Sequence, residues 1–196
     1  MTLFDRLKRN LDARPPITFQ DDRHLATSIE NHARAAVLIA VTDKPEPGVV
    51  LTQRPEWLKR HAGEVAFPGG RMDAEDSDLI ATALREANEE IGLDPEMVRV
   101  VGNGAAYFSA TGFNVTPILG VIPPDLALTP DPGEVAEIFE VPLDFLLDPA
   151  NSRRRSMDWE GTMRDFIEIE WQDRLIWGVT AGILHNLSRQ LEWRAE

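Results

Sequence analysis

Apolar residues recur along this chain with two different periods, and the period of each stretch predicts its element. Leu3, Phe4, Leu7 and Leu11 stand at helical spacing among charged residues, which predicts an amphipathic helix over residues 2–13 with Thr2 as its cap. Arg14-Pro15-Pro16 ends it, since a residue before proline is pushed out of the helical region. Residues 17–34 are polar and irregular. His24 and His32 read there as surface residues, because no acid or second histidine stands at ligand spacing. Arg34 to Val41 is a continuous apolar run, the pattern of a central strand buried on both faces. Asp43 to Gly48 is a turn, and Val49 to Arg54 the returning strand.

Further on, Ile80, Leu84, Ala87 and Ile91 share one face of a helix that ends at Gly92, with Asp76 or Ser77 as the expected cap. Val98 to Val101 is a short strand. Gly102 to Thr111, rich in glycine and alanine, suits a strand or loop lining a cleft. Val115 to Ile122 is a second buried strand, in which Pro117 predicts an edge position or a bulge. A proline-rich loop, 123–133, delivers an alternating strand over 134–142, and one helical turn follows to Leu147. The Arg153-Arg154-Arg155 triplet reads as a solvated turn. Residues 164–171 alternate as a half-exposed strand, with Phe166/Ile167, Ile169 and Trp171 set against Glu168 and Glu170. A C-terminal amphipathic helix spans 177–193 with Ile183, Leu184, Leu187 and Leu191 inward and His185 at the surface. Buried strands interrupted by a helix and closed by another predict an α/β class fold, a mixed sheet between helical layers. Residues 1–33 form an N-terminal helix and irregular segment packed on the single domain of 34–196.

Composition narrows the function classes. The 196 residues include no cysteine, which excludes disulfides, thiolate nucleophiles and zinc–thiolate sites. The net charge of −13 argues against duplex nucleic acid, which is bound largely through lysine and arginine on phosphates. No apolar run reaches spanning length and MTLFDRLKRN lacks the apolar core of a signal peptide, so no membrane partner and a cytoplasmic location are expected.

The chemistry concentrates between His61 and Leu93. Phe67-Pro68-Gly69-Gly70 leads into an acidic loop, Asp73 to Asp78, and then into the helix carrying Arg85, Glu86, Glu89 and Glu90. Like charges at i, i+4, as in Glu86 and Glu90, cost a helix roughly 0.2–0.5 kcal/mol. A hard divalent cation bound by oxygen ligands reverses the sign of that interaction. Arg85 can bridge Glu89, yet three acids to one base leave negative charge over. Two adjacent glycines let a backbone carbonyl approach a metal or phosphate. Upstream, Arg54, Lys59, Arg60 and His61 form a cationic cluster suited to phosphate.

The pattern Gly69-Gly70, then Arg85-Glu86-x-x-Glu89-Glu90-x-Gly92-Leu93, resembles the Nudix hydrolase signature, G-x5-E-x7-R-E-U-x-E-E-x-G-U with U aliphatic. The second half matches position for position, except that Ala87 stands at the first U. One extra residue separates Gly70 from Arg85, and the first glutamate has no counterpart in register; Asp73, Glu75 and Asp76 are the candidates to replace it. Leu51-Thr52-x-Arg54, then Leu58-x-Arg60-His61-x-Gly63-x-Val65-x-Phe67-Pro68-Gly69-Gly70, resembles the further signature of the coenzyme A pyrophosphatase branch. That branch often has Gln-x-Ser where Glu64 and Ala66 stand here.

The resemblance implies an α/β/α sandwich with a mixed central sheet and a metal-dependent pyrophosphohydrolase using Mg²⁺ or Mn²⁺. Implied metal ligands are the Gly69 carbonyl, Glu86, Glu89 and Glu90, completed by a loop acid, Glu134 or Glu137. Glu86 or Glu89 would act on the attacking water, with Arg85 holding a carboxylate in place. Substrate contacts are expected from Arg54, Lys59, Arg60, His61 and Gly70. The implied partner is a small-molecule nucleotide: coenzyme A or a derivative, cut into 3′,5′-ADP and 4′-phosphopantetheine. The alternatives are another nucleoside diphosphate derivative, such as ADP-ribose or a capped RNA 5′ end, and a non-catalytic nucleotide sensor. The intact glutamate set argues against a sensor. A homodimer is compatible with this reading.

Overall fold

A computed structural model describes residues 1–15, 32–109, 111–159 and 161–193. Helix α1 (Leu3–Asp12) starts as its sequence predicts: Thr2 and Asp5 cap each other reciprocally, and Leu7 and Leu11 are buried. Strand β1 (Ala33–Thr42) follows, then β2 (Gly48–Gln53), β3 (Val65–Ala66) and β4 (Gly69–Arg71). Helix α2 (Leu79–Ile91) carries the glutamates. Next come β5 (Arg99–Asn103), β6 (Tyr107–Phe108), β7 (Phe113–Ile122), β8 (Glu137–Pro142) and the short α3 (Leu143–Leu147). The chain closes with β9 (Ser152–Trp159), β10 (Thr162–Trp171), β11 (Arg174–Trp177) and α4 (Gly178–Leu191). No helix among the described residues is long and apolar enough to cross a membrane.

Among the described residues eight strands form one mixed sheet along the path β3-β2-β1-β7-β5, with β4 on β1, β6 on β7 and β8 on β2. Only β1 and β7 pair in parallel, along their whole length; the other pairs are antiparallel. Period-2 alternation divides the apolar run of β1 between the two faces. Ala36, Leu38 and Ala40 pack with Ala83, Ala87 and Ile91 of α2. Ile39 and Val41 pack with Leu7 of α1, Leu146 of α3 and Leu184 of α4. The result is the α/β class with a mixed central sheet, layered between helices. A separate three-stranded antiparallel sheet, β11-β10-β9, packs against α4.

Several expectations need correction. Pro117 does not mark an edge: β7 lies between β1 and the pair β5/β6. β5 pairs up to Ile118 and β6 from Val115, so Pro117 falls where one neighbour hands over to the other. Its carbonyl accepts from Gly104 N (2.8 Å) on that side, where its missing N–H leaves no ladder bond broken. The irregularity is in β5, between Val100 and Gly102. The Arg153–Arg155 triplet is strand β9, not a turn, because β10 offers acids across from it. Arg153 meets Glu170 at 3.2 Å, Arg155 meets Glu168 at 2.6 Å, and Arg154 pairs with Asp165. His32 is half-buried, edge-on to the Phe108 ring at 5.7 Å. His185 is half-buried as well, and burial holds its pKa below the usual imidazole value. His24 lies outside the described residues.

Candidate active site

Asp78, not Asp76 or Ser77, caps α2, accepting from Ala81 N at 2.8 Å. Gly92 closes the helix in the left-handed conformation (φ 65). The inward face is also turned from the one the apolar spacing suggests. Ala83, Ala87 and Ile91 are fully buried, whereas Ile80 and Leu84 only flank the core. Two alanines let the helix lie close against β1 and β4, and that closeness takes Glu90 out of water.

Glu90 is only 6% exposed, and its Oε2 accepts from the Gly69 amide at 3.3 Å. Burial pushes its pKa up to about 8, with Glu134 and Glu86 adding repulsion; the Gly69 N–H and Arg54 oppose the rise. Glu86 is half-buried and shifted the same way, chiefly by burial, against the pull of Arg85. A Cβ on Gly70 would come within 2.5 Å of the Glu86 carboxylate, and one on Gly69 would collide with Ala36 and Val37 of β1. Close approach to the β1 backbone requires glycine at 69, whereas a side chain at 70 would displace the Glu86 carboxylate. Glu89 is exposed and pairs with Arg85 at 2.8 Å.

The proline-rich loop is moored to the end of α2. Thr129 N donates to Ile91 O (3.0 Å) and Asp131 N to Glu90 O (2.9 Å). That mooring sets Glu134 where it raises the pKa of both Glu86 and Glu90. Glu137 points elsewhere, to Arg174 at 2.8 Å. Among the described residues no three acidic or histidine side chains converge tightly enough to hold an ion as they stand.

Arg85 organises the acids around it. Its Nε and Nη2 donate to the two Asp76 oxygens, each at 3.0 Å; Nη1 meets Glu89 at 2.8 Å and Glu86 at 3.0 Å, and Nη2 also reaches Arg71 O at 3.1 Å. Arg85 holds the Asp76 carboxyl far below the usual carboxylate range, helped by the Asp73 N–H and the Thr82 hydroxyl. Of the three acids that can replace the missing first glutamate, Asp76 has the fork-to-fork contact; Asp73 stands 3.8 Å away and is exposed. Hydrogen bonds to charged groups contribute about 1.5–3 kcal/mol, so Asp76→Ala is expected to destabilise by about that amount in urea titration. Asp73→Ala should change stability by less than about 0.5 kcal/mol, as exposed sites do. Equal losses would remove Asp76 from this role.

A cleft of about 650 Å³ adjoins Gly69 and Gly70. Arg54 and His61 line it, as do Phe67, Phe113 and Val115 of the main sheet region. The Arg54 Nε is buried and lacks a hydrogen-bond partner. His61 Nδ1 lies 2.9 Å from Glu64. Lys59 and Arg60 are exposed and do not line this cleft. Ser109 and Thr111 border it, in the stretch expected to line one. Met157, Phe166, Trp177 and Ile183 line it as well, none of them assigned to a site by the sequence pattern, which placed Phe166 on a strand and Ile183 inward on the last helix. Nothing local distinguishes Phe166 from an ordinary half-buried strand residue.

Residues 32–159 match the NUDIX domain family. The chain is 44% identical over 163 residues to the Nudix hydrolase NudL of Photorhabdus laumondii, covering 83% of this chain and 87% of that one. It is 42% identical over 197 residues to the NudL of Klebsiella pneumoniae, covering 97% and 95%. Among solved structures, a Nudix hydrolase from M. smegmatis, RenU, superposes with a TM-score of 0.50 at 27% identity, covering 60% of this chain and 74% of that one.

Proposed function

The chain belongs to the Nudix hydrolase family, and from that premise we propose that it cuts the diphosphate of coenzyme A or one of its derivatives, giving 3′,5′-ADP and 4′-phosphopantetheine. It is a Nudix hydrolase, and such enzymes generally use divalent metal ions. The observation that carries the narrower reading is the place of Arg54. This residue of the coenzyme A branch signature sits in the cleft beside Gly69-Gly70 with a buried, unmet donor, and it lowers the pKa of Glu90. A substrate phosphate is the natural partner for that donor.

The donor set suits Mg²⁺ or Mn²⁺: hard carboxylate oxygens, in excess over Arg85, stand against the Gly69-Gly70 backbone. In this reading Glu86, Glu89, Glu90 and the Gly69 carbonyl hold the ion, and Glu134 is the loop acid better placed to join them. A bound divalent cation neutralises diphosphate charge and acidifies water. Of the two acids that can act on the attacking water, Glu86 is favoured. Its partial burial raises its proton affinity, which suits a base, while Glu89 is exposed and committed to Arg85. Arg85 positions carboxylates and Asp76 positions Arg85.

A panel of coenzyme A, dephospho-coenzyme A, ADP-ribose and capped RNA, with products identified by mass spectrometry, tests this. Highest kcat/KM on coenzyme A with release of 3′,5′-ADP is expected; a preference for ADP-ribose or capped RNA would replace the coenzyme A reading. Arg54 ranks ahead of Arg60 as the partner of the 3′-phosphate, because only Arg54 lines the cleft. Arg54→Ala should lower kcat/KM for coenzyme A by roughly 10- to 150-fold, the worth of a charged hydrogen bond, and that for dephospho-coenzyme A much less. Arg60→Ala should affect both by less than about threefold, as an exposed charge does. Parallel losses on the two substrates would make Arg54 a brace for the loop.

A further inference from the structure

Phe166, Trp177 and Ile183, which line the cleft, lie beyond the family match, which ends at residue 159. Phe166 of β10 and Trp177 of β11 stand edge to face there, ring centroids 6.0 Å apart at 75°. Both are half-buried and both line the cleft. Register keeps them together: β10 and β11 pair antiparallel, and Glu168, two residues beyond Phe166, lies opposite Trp177. Neither ring is consumed by the main core, whose buried members from these strands are Ile167, Ile169 and Ile176. An apolar surface held open beside a catalytic cleft costs hydration and needs an occupant.

We infer that Phe166 and Trp177 form the stacking platform for the purine ring of the nucleotide half of the substrate. The inference rests on the diphosphatase reading above and adds which half enters the cleft. Two observations select the nucleotide half. Its chemical order is diphosphate, phosphorylated ribose, aromatic base. One cleft brings together the Gly69-Gly70 loop, the Arg54 cation with its unmet donor and the two rings, a counterpart for each of the three. The pantetheine half has no charge for Arg54 beyond the diphosphate. Its two amides would gain nothing from the faces of Phe166 and Trp177, where an unpaired polar group is costly. A purine instead presents an apolar face to the rings. Stacking also tolerates different bases, so the platform contributes affinity and the phosphate contacts set selectivity.

Trp177 provides its own reporter. The metal-free protein is titrated with 3′,5′-ADP, and separately with 4′-phosphopantetheine, following tryptophan fluorescence. Quenching by 3′,5′-ADP is expected in wild type and in Trp57→Phe, an exposed tryptophan that does not line the cleft (68% exposed), and should vanish in Trp177→Phe, which still binds. Base stacking on one ring predicts that Trp177→Ala and Phe166→Ala each weaken 3′,5′-ADP binding by roughly 5- to 150-fold, with Trp177→Phe close to wild type. Circular dichroism confirms the fold of each variant, and Phe166→Ala carries the test if Trp177→Ala does not fold. If 4′-phosphopantetheine quenches Trp177 and 3′,5′-ADP does not, the cleft holds the other half and the inference falls. It falls equally if both alanine variants bind 3′,5′-ADP as wild type does. The binding readout needs no turnover, so an enzyme inactive on coenzyme A would overturn the diphosphatase reading while the titration with 3′,5′-ADP still decides the platform.

Discussion

Glu90→Gln is expected to lower turnover by about 10³-fold at saturating Mg²⁺, which corresponds to the loss of several kcal/mol of transition-state charge stabilisation. The amide matches the carboxylate in shape and keeps an oxygen to accept from the Gly69 N–H, so the packing of α2 on β1 survives. What it removes is the capacity to ionise and give a bound cation a carboxylate beside Gly69. Steady-state rates over a range of Mg²⁺ concentrations separate weaker ion binding from a slower chemical step. A variant with near-wild-type rates at saturating Mg²⁺ would show that Glu90 is a structural acid. Glu89→Gln is expected to cost less, because Glu89 is exposed and Arg85 retains Asp76 and Glu86 without it.

The same substitution should stabilise the metal-free protein, and by more than helix spacing implies. Repulsion between Glu86 and Glu90 at i, i+4 accounts for only roughly 0.2–0.5 kcal/mol. Burial is the larger cause, and the raised pKa of Glu90 contains both. The carboxyl keeps its proton to about pH 8 in the fold, whereas in the unfolded chain it loses it near pH 4.5. Between those values unfolding releases a proton, so stability falls as pH rises, by up to about 1.4 kcal/mol per pH unit. Below pH 4.5 both states are protonated and the penalty vanishes. At pH 7 it amounts to about 3 kcal/mol, on the order of 6–12 °C in Tm for a domain of this size. Glu86 pushes in the same direction. Asp76 works oppositely: its folded pKa is depressed, so its stabilisation is complete above the ordinary aspartate pKa and is lost only as pH falls below it. Thermal melts of the apoprotein in chelator at pH 5 and pH 7.5 should thus show Glu90→Gln nearly level with wild type at the first and well above it at the second. Adding Mg²⁺ should raise wild type more than the variant, since an ion that binds only the folded state stabilises through its ligands. Identical melts at both pH values would contradict the burial argument.

Local pattern in the amino-acid sequence was enough for much of this molecule. The ends of α1, the strand character of β1 and β7, the glycine pair and the existence of α2 follow from capping, unbroken apolar runs and helical periodicity, which act over a few residues. The glutamates and Arg85 were legible for the same reason. Their division of labour was not. Helix spacing puts Glu86, Glu89 and Glu90 within one turn of each other, but Glu90 is buried because the Gly69 amide, 21 residues away, is laid against it by β4 pairing with β1. Asp76, not Asp73, takes the two-pronged contact of Arg85 across the acidic loop, and Glu134 faces Glu86 and Glu90 while Glu137 is paired with Arg174. The cationic segment looked uniform in sequence, yet only Arg54 and His61 face the cleft, because the chain after β2 turns Lys59 and Arg60 to solvent. The two cleft rings lay furthest beyond reach. Phe166 and Trp177 share no local motif with the glycine pair about a hundred residues earlier. Burial, pKa and cleft shape are properties of groups brought together across the chain, and only the tertiary fold decides which groups those are.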